Sequence, residues 1–167
     1  MNVRIAERDL KTKFGTFREV LYYDGRRESI ALVLGDVANR GDVLCRIHSQ
    51  CIGAHVFNSI ECTCREEMES AQRLIESAEC GVIIWLDQEG KGNGHLALIE
   101  SMKYKKDLGQ SEAYVKAGYL ADARDYRPAA DILIDLNVRS IKLISGNVEK
   151  AEELRRLSID VSATVNE

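Results

Sequence analysis

The stretch that decides the reading runs from Arg46 to Arg65, RIHSQCIGAHVFNSIECTCR. It holds three of the chain's five cysteines, Cys51, Cys62 and Cys64, in the pattern Cys-x10-Cys-x-Cys. Immediately before the cysteines lies a strand-like run, Val43-Leu44-Cys45-Arg46-Ile47. Immediately after them, from Glu66 to Ser77, apolar residues recur at helical spacing, with Met68, Ala71, Leu74 and Ile75 on one face. Thiolates converging from a loop and a helix start can hold a zinc ion. Three protein ligands would leave a coordination position for water, as a catalytic site requires.

Cysteine has a second common use, as a small apolar core residue. That reading suits Cys45 and Cys80, which sit in apolar runs. It suits the trio poorly, because Glu61, Thr63, Arg65 and Glu66 surround it with polar side chains. His55, inside the loop, could close the site as a fourth ligand or stand as an exposed loop residue. His48 lies two residues beyond Arg46 and shares its face of the strand. It could support the metal from behind, form a polar wall, or be an ordinary satisfied histidine.

Upstream, Phe14-Gly15-x-Phe17 marks a turn, Glu19–Tyr23 a strand, Asp24–Arg27 a second turn and Ser29–Leu34 another strand. With Val43–Ile47 these predict three neighbouring strands in an antiparallel sheet. Downstream, Cys80–Leu86 is a continuous apolar run, expected as a strand buried on both faces. The glycine-rich loop Asp87–Gly94 follows, then a helix over Leu96–Leu108 and a long irregular loop from Gly109 to Arg127. Pro128 suits the first turn of a helix running through Ile132, Leu133 and Leu136. A strand at Ile141–Ser145, a helix at Val148–Leu157 and a short strand at Ile159–Val161 complete the chain. The expected class is α/β (mixed α+β), with a mixed sheet flanked by helices in a single domain spanning residues 1–167.

A net charge of −4 argues against a non-specific nucleic-acid binder. No apolar run approaches the roughly 20 residues of a membrane helix. The opening MNVRIAERDLKTKFG lacks the apolar core of a secretion signal. An odd cysteine count in a chain of this kind points to free thiols or metal ligands, hence a reducing, cytoplasmic setting.

The runs Arg46–Cys51, Cys62-Thr63-Cys64, Asp87-Gln88-Glu89-Gly90-Lys91, Asp122-Ala123-Arg124-Asp125-Tyr126 and Ser145-Gly146-Asn147-x-x-Lys150 together resemble the GTP cyclohydrolase II family. Order and approximate spacing match from Phe14 nearly to the C-terminus. The resemblance implies zinc-dependent opening of the guanine imidazole ring of GTP, with loss of formate and pyrophosphate, on the route to riboflavin. It places the zinc on Cys51, Cys62 and Cys64. It makes Glu89 the reader of the purine N–H edge, and Asp122 and Arg124 catalytic. Arg46, His48, Ser49, Gln50, Glu67, Gly90, Lys91, Ser145 and Lys150 become substrate contacts. A homodimer, and Mg2+ accompanying the triphosphate, are also implied.

C8 of guanine is a weak electrophile, and water on zinc ionises near pH 7, which brings hydroxide to it under mild conditions. Arginine, with a pKa above about 12, is a poor nucleophile, so Arg124 suits charge stabilisation better than attack.

The match has gaps. The family glutamate after His-Ser is Gln50 here. Its glycine and glutamine after the second Cys of Cys-x-Cys are Arg65 and Glu67. Its arginine after Glu-Gly is Lys91, and a tyrosine held to be catalytic falls at Met102. A divergent cyclohydrolase, acting on another purine nucleotide or without pyrophosphate release, is therefore an alternative. So is a non-catalytic nucleotide-binding module with structural zinc.

Overall fold

The computed structural model describes residues 1–166. Thirteen elements follow in order: β1 (Val3–Thr12), β2 (Gly15–Tyr23), β3 (Glu28–Leu34), β4 (Val43–Ser49), α1 (Ile52–His55), α2 (Cys64–Ala78), β5 (Gly81–Leu86), α3 (His95–Ser101), α4 (Gln110–Lys116), α5 (Arg127–Asp135), β6 (Ile141–Ile144), α6 (Val148–Arg156) and β7 (Val161–Val165). The strands form one seven-stranded sheet in the order β1-β2-β3-β5-β4-β6-β7. Pairs from β1 to β5 are antiparallel, and those joining β5, β4, β6 and β7 are parallel. The mixed α/β expectation holds.

Side-chain alternation sorts the core into two layers. In β5, Val82, Ile84 and Leu86 point to one face, where they meet Ala129, Ile132 and Leu133 of α5 and Leu154 of α6. Ile83 points to the other face and joins Phe17, Ile144 and the α2 residues Ala71 and Ile75. Burial on both faces explains the continuous apolar run of this strand. The amphipathic helices α2 and α5 each bury one stripe against the sheet.

The predicted antiparallel trio is corrected. β3 pairs with β5, not with β4, and β4 lies on the far side of β5 in parallel. The connection from Gly35 to Asp42 is too long for a tight hairpin and is anchored elsewhere. Asn39 N–H donates to Asn137 O at 2.7 Å, and Arg139 N–H to Arg40 O at 2.8 Å. β5, apolar on both faces, takes the covered position next to β3.

Three boundaries also differ. The helix expected over Leu96–Leu108 ends at Ser101 and continues as turns. The supposed irregular loop holds α4, and the last strand is β7 rather than residues 159–161. Pro128 does lie in the first turn of α5, where its missing N–H costs nothing. Among the described residues no helix is long and apolar enough to cross a membrane.

This topology positions the chemistry. From β4 the chain moves to β5 on one side, then returns to place β6 on the other. In open sheets the crevice at such a reversal, beyond the carboxyl ends of the parallel strands, is the usual ligand position. The loops leaving β4, β5 and β6 begin at Gln50, Asp87 and Ser145, so all three motif-bearing segments gather at one edge.

Candidate active site

Cys51 is the residue before α1, Cys62 lies in the following loop, and Cys64 is the first residue of α2. Their sulfurs lie within 4.8 Å of one another, and Cys51 Sγ is 3.6 Å from Cys62 Sγ. Sulfurs each about 2.3 Å from a tetrahedral zinc stand about 3.8 Å apart. The trio therefore fits such an ion. Burial, then neighbouring sulfur, raises the pKa of Cys64, and burial chiefly raises that of Cys51. A divalent cation would relieve that resistance to ionisation.

Arg65 secures the loop. Its guanidinium donates to Ala54 O at 2.9 Å and His55 O at 2.8 Å, satisfying carbonyls at the end of α1. Among the described residues the trio is the one group of three or more metal-ligating side chains at such spacing. His55 is neither a fourth member nor a bare loop residue. Its Nε2 lies 2.9 Å from His48 Nε2, so one ring donates to the other.

His48 is buried, and burial first, then the charge of Arg46, pushes its pKa down to about 3. An unfolded histidine takes up a proton near pH 6.5. Between these values the unfolded chain binds more protons, so this contribution to stability is lost as pH falls from about 6.5 toward 3. The His48 ring proton resonance should keep its neutral position down to about pH 4, and a midpoint near 6.5 would contradict this.

A cavity of about 440 Å³ opens beside the sulfurs. Its wall includes Ser49, Gln50, Cys51, Cys62, Cys64, Glu67, Glu89, Gly90, Lys91 and Arg124. Ten of the fifteen residues singled out in the sequence thus share one space. A second cavity of about 580 Å³ meets it at Arg124 and is lined by Asp122, Asn147 and Lys150. Arg46, His48 and Ser145 are buried behind these walls. Arg46 donates to Ile144 O at 3.0 Å and pairs with Glu67 at 2.5 Å, and Lys150 Nζ donates to Ile47 O at 3.2 Å.

Glu89 is buried. Its Oε1 accepts the Ile52 N–H at 3.0 Å, and its Oε2 lies 3.0 Å from His95 Nδ1. Lys91 Nζ donates to Ser111 Oγ at 2.7 Å. Asp122 accepts from the Arg124 side chain at 2.5 to 3.1 Å and from its backbone N–H at 3.0 Å. Burial opposes ionisation of Asp122, but the bonds from Arg124 outweigh it and hold its pKa below the ordinary carboxylate value. The same contact raises the pKa of Arg124.

Two residues escaped the sequence reading of roles. Gln88 donates to Ser49 Oγ at 3.2 Å and accepts the Asp125 N–H at 2.9 Å, tying the end of β4 to the Asp122–Tyr126 segment. Its position in the Asp-Gln-Glu-Gly run was the one signal for it. Tyr114 of α4 is fully buried and, like Met102, contributes to the cavity wall. No pattern in the sequence marked it.

Comparison with known proteins gives a consistent picture. The sequence profile of the family described as GTP cyclohydrolase II matches residues 3–166. GTP cyclohydrolase-2 of Streptomyces coelicolor is 41% identical over 97% of this chain and 75% of its own length. GTP cyclohydrolase-2 of Archaeoglobus fulgidus is 39% identical over 95% of this chain and 42% of its own. Riboflavin biosynthesis protein RibBA of Bacillus mycoides is 37% identical over 97% and 42%. The chain thus spans three quarters of the first relative and about two fifths of the other two. In shape it is similar to RibBX, a two-domain 3,4-dihydroxy-2-butanone 4-phosphate synthase from A. baumannii, with a TM-score of 0.56 over 99% of this chain and 40% of that one. At 18% identity that likeness concerns the fold alone.

Proposed function

The chain belongs to the GTP cyclohydrolase II family, and from that premise we propose that it is a zinc-dependent hydrolase of GTP. The reaction opens the imidazole ring, releases formate and pyrophosphate, and leaves a diaminopyrimidinone ribosyl phosphate for riboflavin synthesis. The observation that carries this reading is one cavity holding three thiols at zinc spacing beside the buried carboxylate of Glu89.

Cys51, Cys62 and Cys64 would hold the ion, which when bound makes hydroxide available near neutral pH. Glu89 presents carboxylate oxygens to the purine N–H edge and so sets the base's position. Its bond from Ile52 N–H ties that acceptor to the residue after Cys51, which keeps the base and the cysteine loop in register. Leu98, Ile99 and Met102 supply an apolar wall for the ring.

The phosphate chain would run past Arg124 toward the cavity that Lys150 and Asn147 line. Arg124, held cationic by Asp122, stabilises charge on the phosphoryl oxygens. Asp122 accepts a proton poorly while Arg124 holds it. It becomes the stronger base once the guanidinium turns to phosphate. Lys91 contributes a point charge rather than a bidentate grip. Mg2+ accompanying the triphosphate, a homodimeric assembly and a cytoplasmic location belong to the same proposal.

One observation favours a second reading. Glu67, an acid on the cavity wall, pairs with Arg46. A carboxylate there offsets positive charge and suits a substrate with fewer phosphates, or ring opening without pyrophosphate loss. Product masses separate the two. Zinc-loaded protein given GTP should yield formate and a product lacking pyrophosphate, whereas the second reading yields a ring-opened product that keeps its phosphates, from GTP or GMP. If the zinc-bound protein opens no guanine nucleotide, both readings fall.

A further inference from the structure

His95 is the first residue of α3, immediately after the glycine-rich loop. It stands on the wall of the cavity that holds the three thiols, and its Nδ1 lies 3.0 Å from Glu89 Oε2. The other Glu89 oxygen is engaged by Ile52 N–H at 3.0 Å. A carboxylate has about four lone-pair sites, so these two bonds leave one acceptor site on each oxygen. Two donors arriving from different elements stop rotation about the last side-chain torsion, which is otherwise broad. The acceptor pair is then aimed in one direction before any ligand arrives.

We propose that His95 is a positioning residue that locks the Glu89 carboxylate between α1 and α3, and so determines selectivity for a purine bearing two adjacent N–H donors. This deepens the reading above and rests on Glu89 being the group that meets the purine edge. His95 also borders a smaller cavity of about 260 Å³, shared with Gln50, Glu89 and Arg27. The His95–Glu89 pair thus lines both spaces. A carboxylate released from His95 regains rotation about its last torsion and loses its single aim. The ligand class is a 2-amino-6-oxopurine nucleotide, discriminated from its analogue without the 2-amino group.

The test compares GTP with inosine triphosphate in zinc-loaded protein, by steady-state kinetics and by calorimetric binding. His95→Leu removes the donor and keeps bulk. His95→Asn keeps a donor near the Nδ1 position. His95 is half exposed, so neither change should disturb folding. For His95→Leu the KM for GTP should rise about tenfold, and kcat should change less than about threefold, because the interaction lost is largely uniform binding. The preference for GTP over inosine triphosphate should shrink in the same proportion, and His95→Asn should restore it to within about threefold.

An unchanged KM and preference in His95→Leu overturns the proposal, as does His95→Asn being impaired equally. Glu89→Gln separates this from failure of the underlying reading. If Glu89→Gln abolishes the preference while His95→Leu does not, only the role of His95 is lost. If Glu89→Gln also leaves the preference intact, Glu89 does not read the purine edge and both fall.

Discussion

Cys62→Ser is expected to release zinc and abolish ring opening while leaving the fold intact. A serine hydroxyl at that point is a poor zinc ligand, because the ion prefers thiolate sulfur and the hydroxyl stays protonated. Two thiols and a neutral oxygen do not compensate the charge as three thiolates do. Cys62 belongs to neither core layer and sits in the loop between α1 and α2, so its loss opens no packed region. Elemental analysis should show the metal falling from one per chain to near none, and formate release should fall on the order of a thousandfold or more. Cys45→Ser is the control. Cys45 is fully buried on β4, and burial pushes its pKa to about 12. That change places a hydroxyl among Ile and Val and should cost about 1–3 kcal/mol of stability with zinc retained. Stoichiometric zinc in Cys62→Ser would remove the trio from the site.

Gly92→Ala should damage stability and activity together. Gly92 has φ +83°, and a Cβ built on it would lie 2.3 Å from Ala123 O and 2.8 Å from Arg124 N. Both neighbours are backbone, so no side chain can turn aside. Ala123 N–H is already fastened to Lys91 O at 2.7 Å. The glycine-rich loop and the Asp122–Arg124 segment are therefore in direct backbone contact, and a methyl group between them pushes the Asp122–Arg124 pair away from the cavity. Strain at positive φ together with overpacking should cost about 3 kcal/mol. A displacement near 1 Å should lower kcat/KM about a hundredfold. Gly94→Ala isolates the backbone contribution. That glycine has φ +100° with nothing within 4 Å, so it should lose about 1–2 kcal/mol and leave the Asp122–Arg124 segment in place. Denaturant midpoints and kcat/KM for the two variants check the comparison. Equal behaviour would show that the close approach to Ala123 is unimportant.

These two variants mark the border between what could be read from residue order and what could not. Cysteine at ligand spacing in a polar surrounding is a chemical signal carried by the residues themselves. The Gly92 contact is not, because a glycine-rich loop announces only that unusual backbone is allowed. That Gly92 packs on Ala123, some thirty positions away, follows from the way β5 and the segment before α5 converge. Gln88 is similar: its two hydrogen bonds join Ser49 to Asp125, and neither partner is near in sequence. The seven-residue α4 was hidden for another reason. Two turns give too few repeats for the helical period to emerge, and of its residues only Ala113 and Tyr114 are buried. β1 is exposed along nearly all its length and held by pairing with β2, so it shows no apolar alternation.

Local pattern alone determined the class of the fold, the two-faced burial of β5, the helix opened near Pro128 and the thiol trio at metal-ligand spacing. Each depends on the periodicity of neighbouring side chains or on the chemistry of single residue types, and both are properties of short range. Tertiary structure decided that β5 separates β3 from β4, that His55 meets His48 instead of the sulfurs, and that His95 and Ile52 grip opposite oxygens of Glu89. Those facts depend on where separate elements come to rest. That placement is governed by burial of whole faces against one another, and apolar attraction is non-directional enough that no one segment specifies its partner.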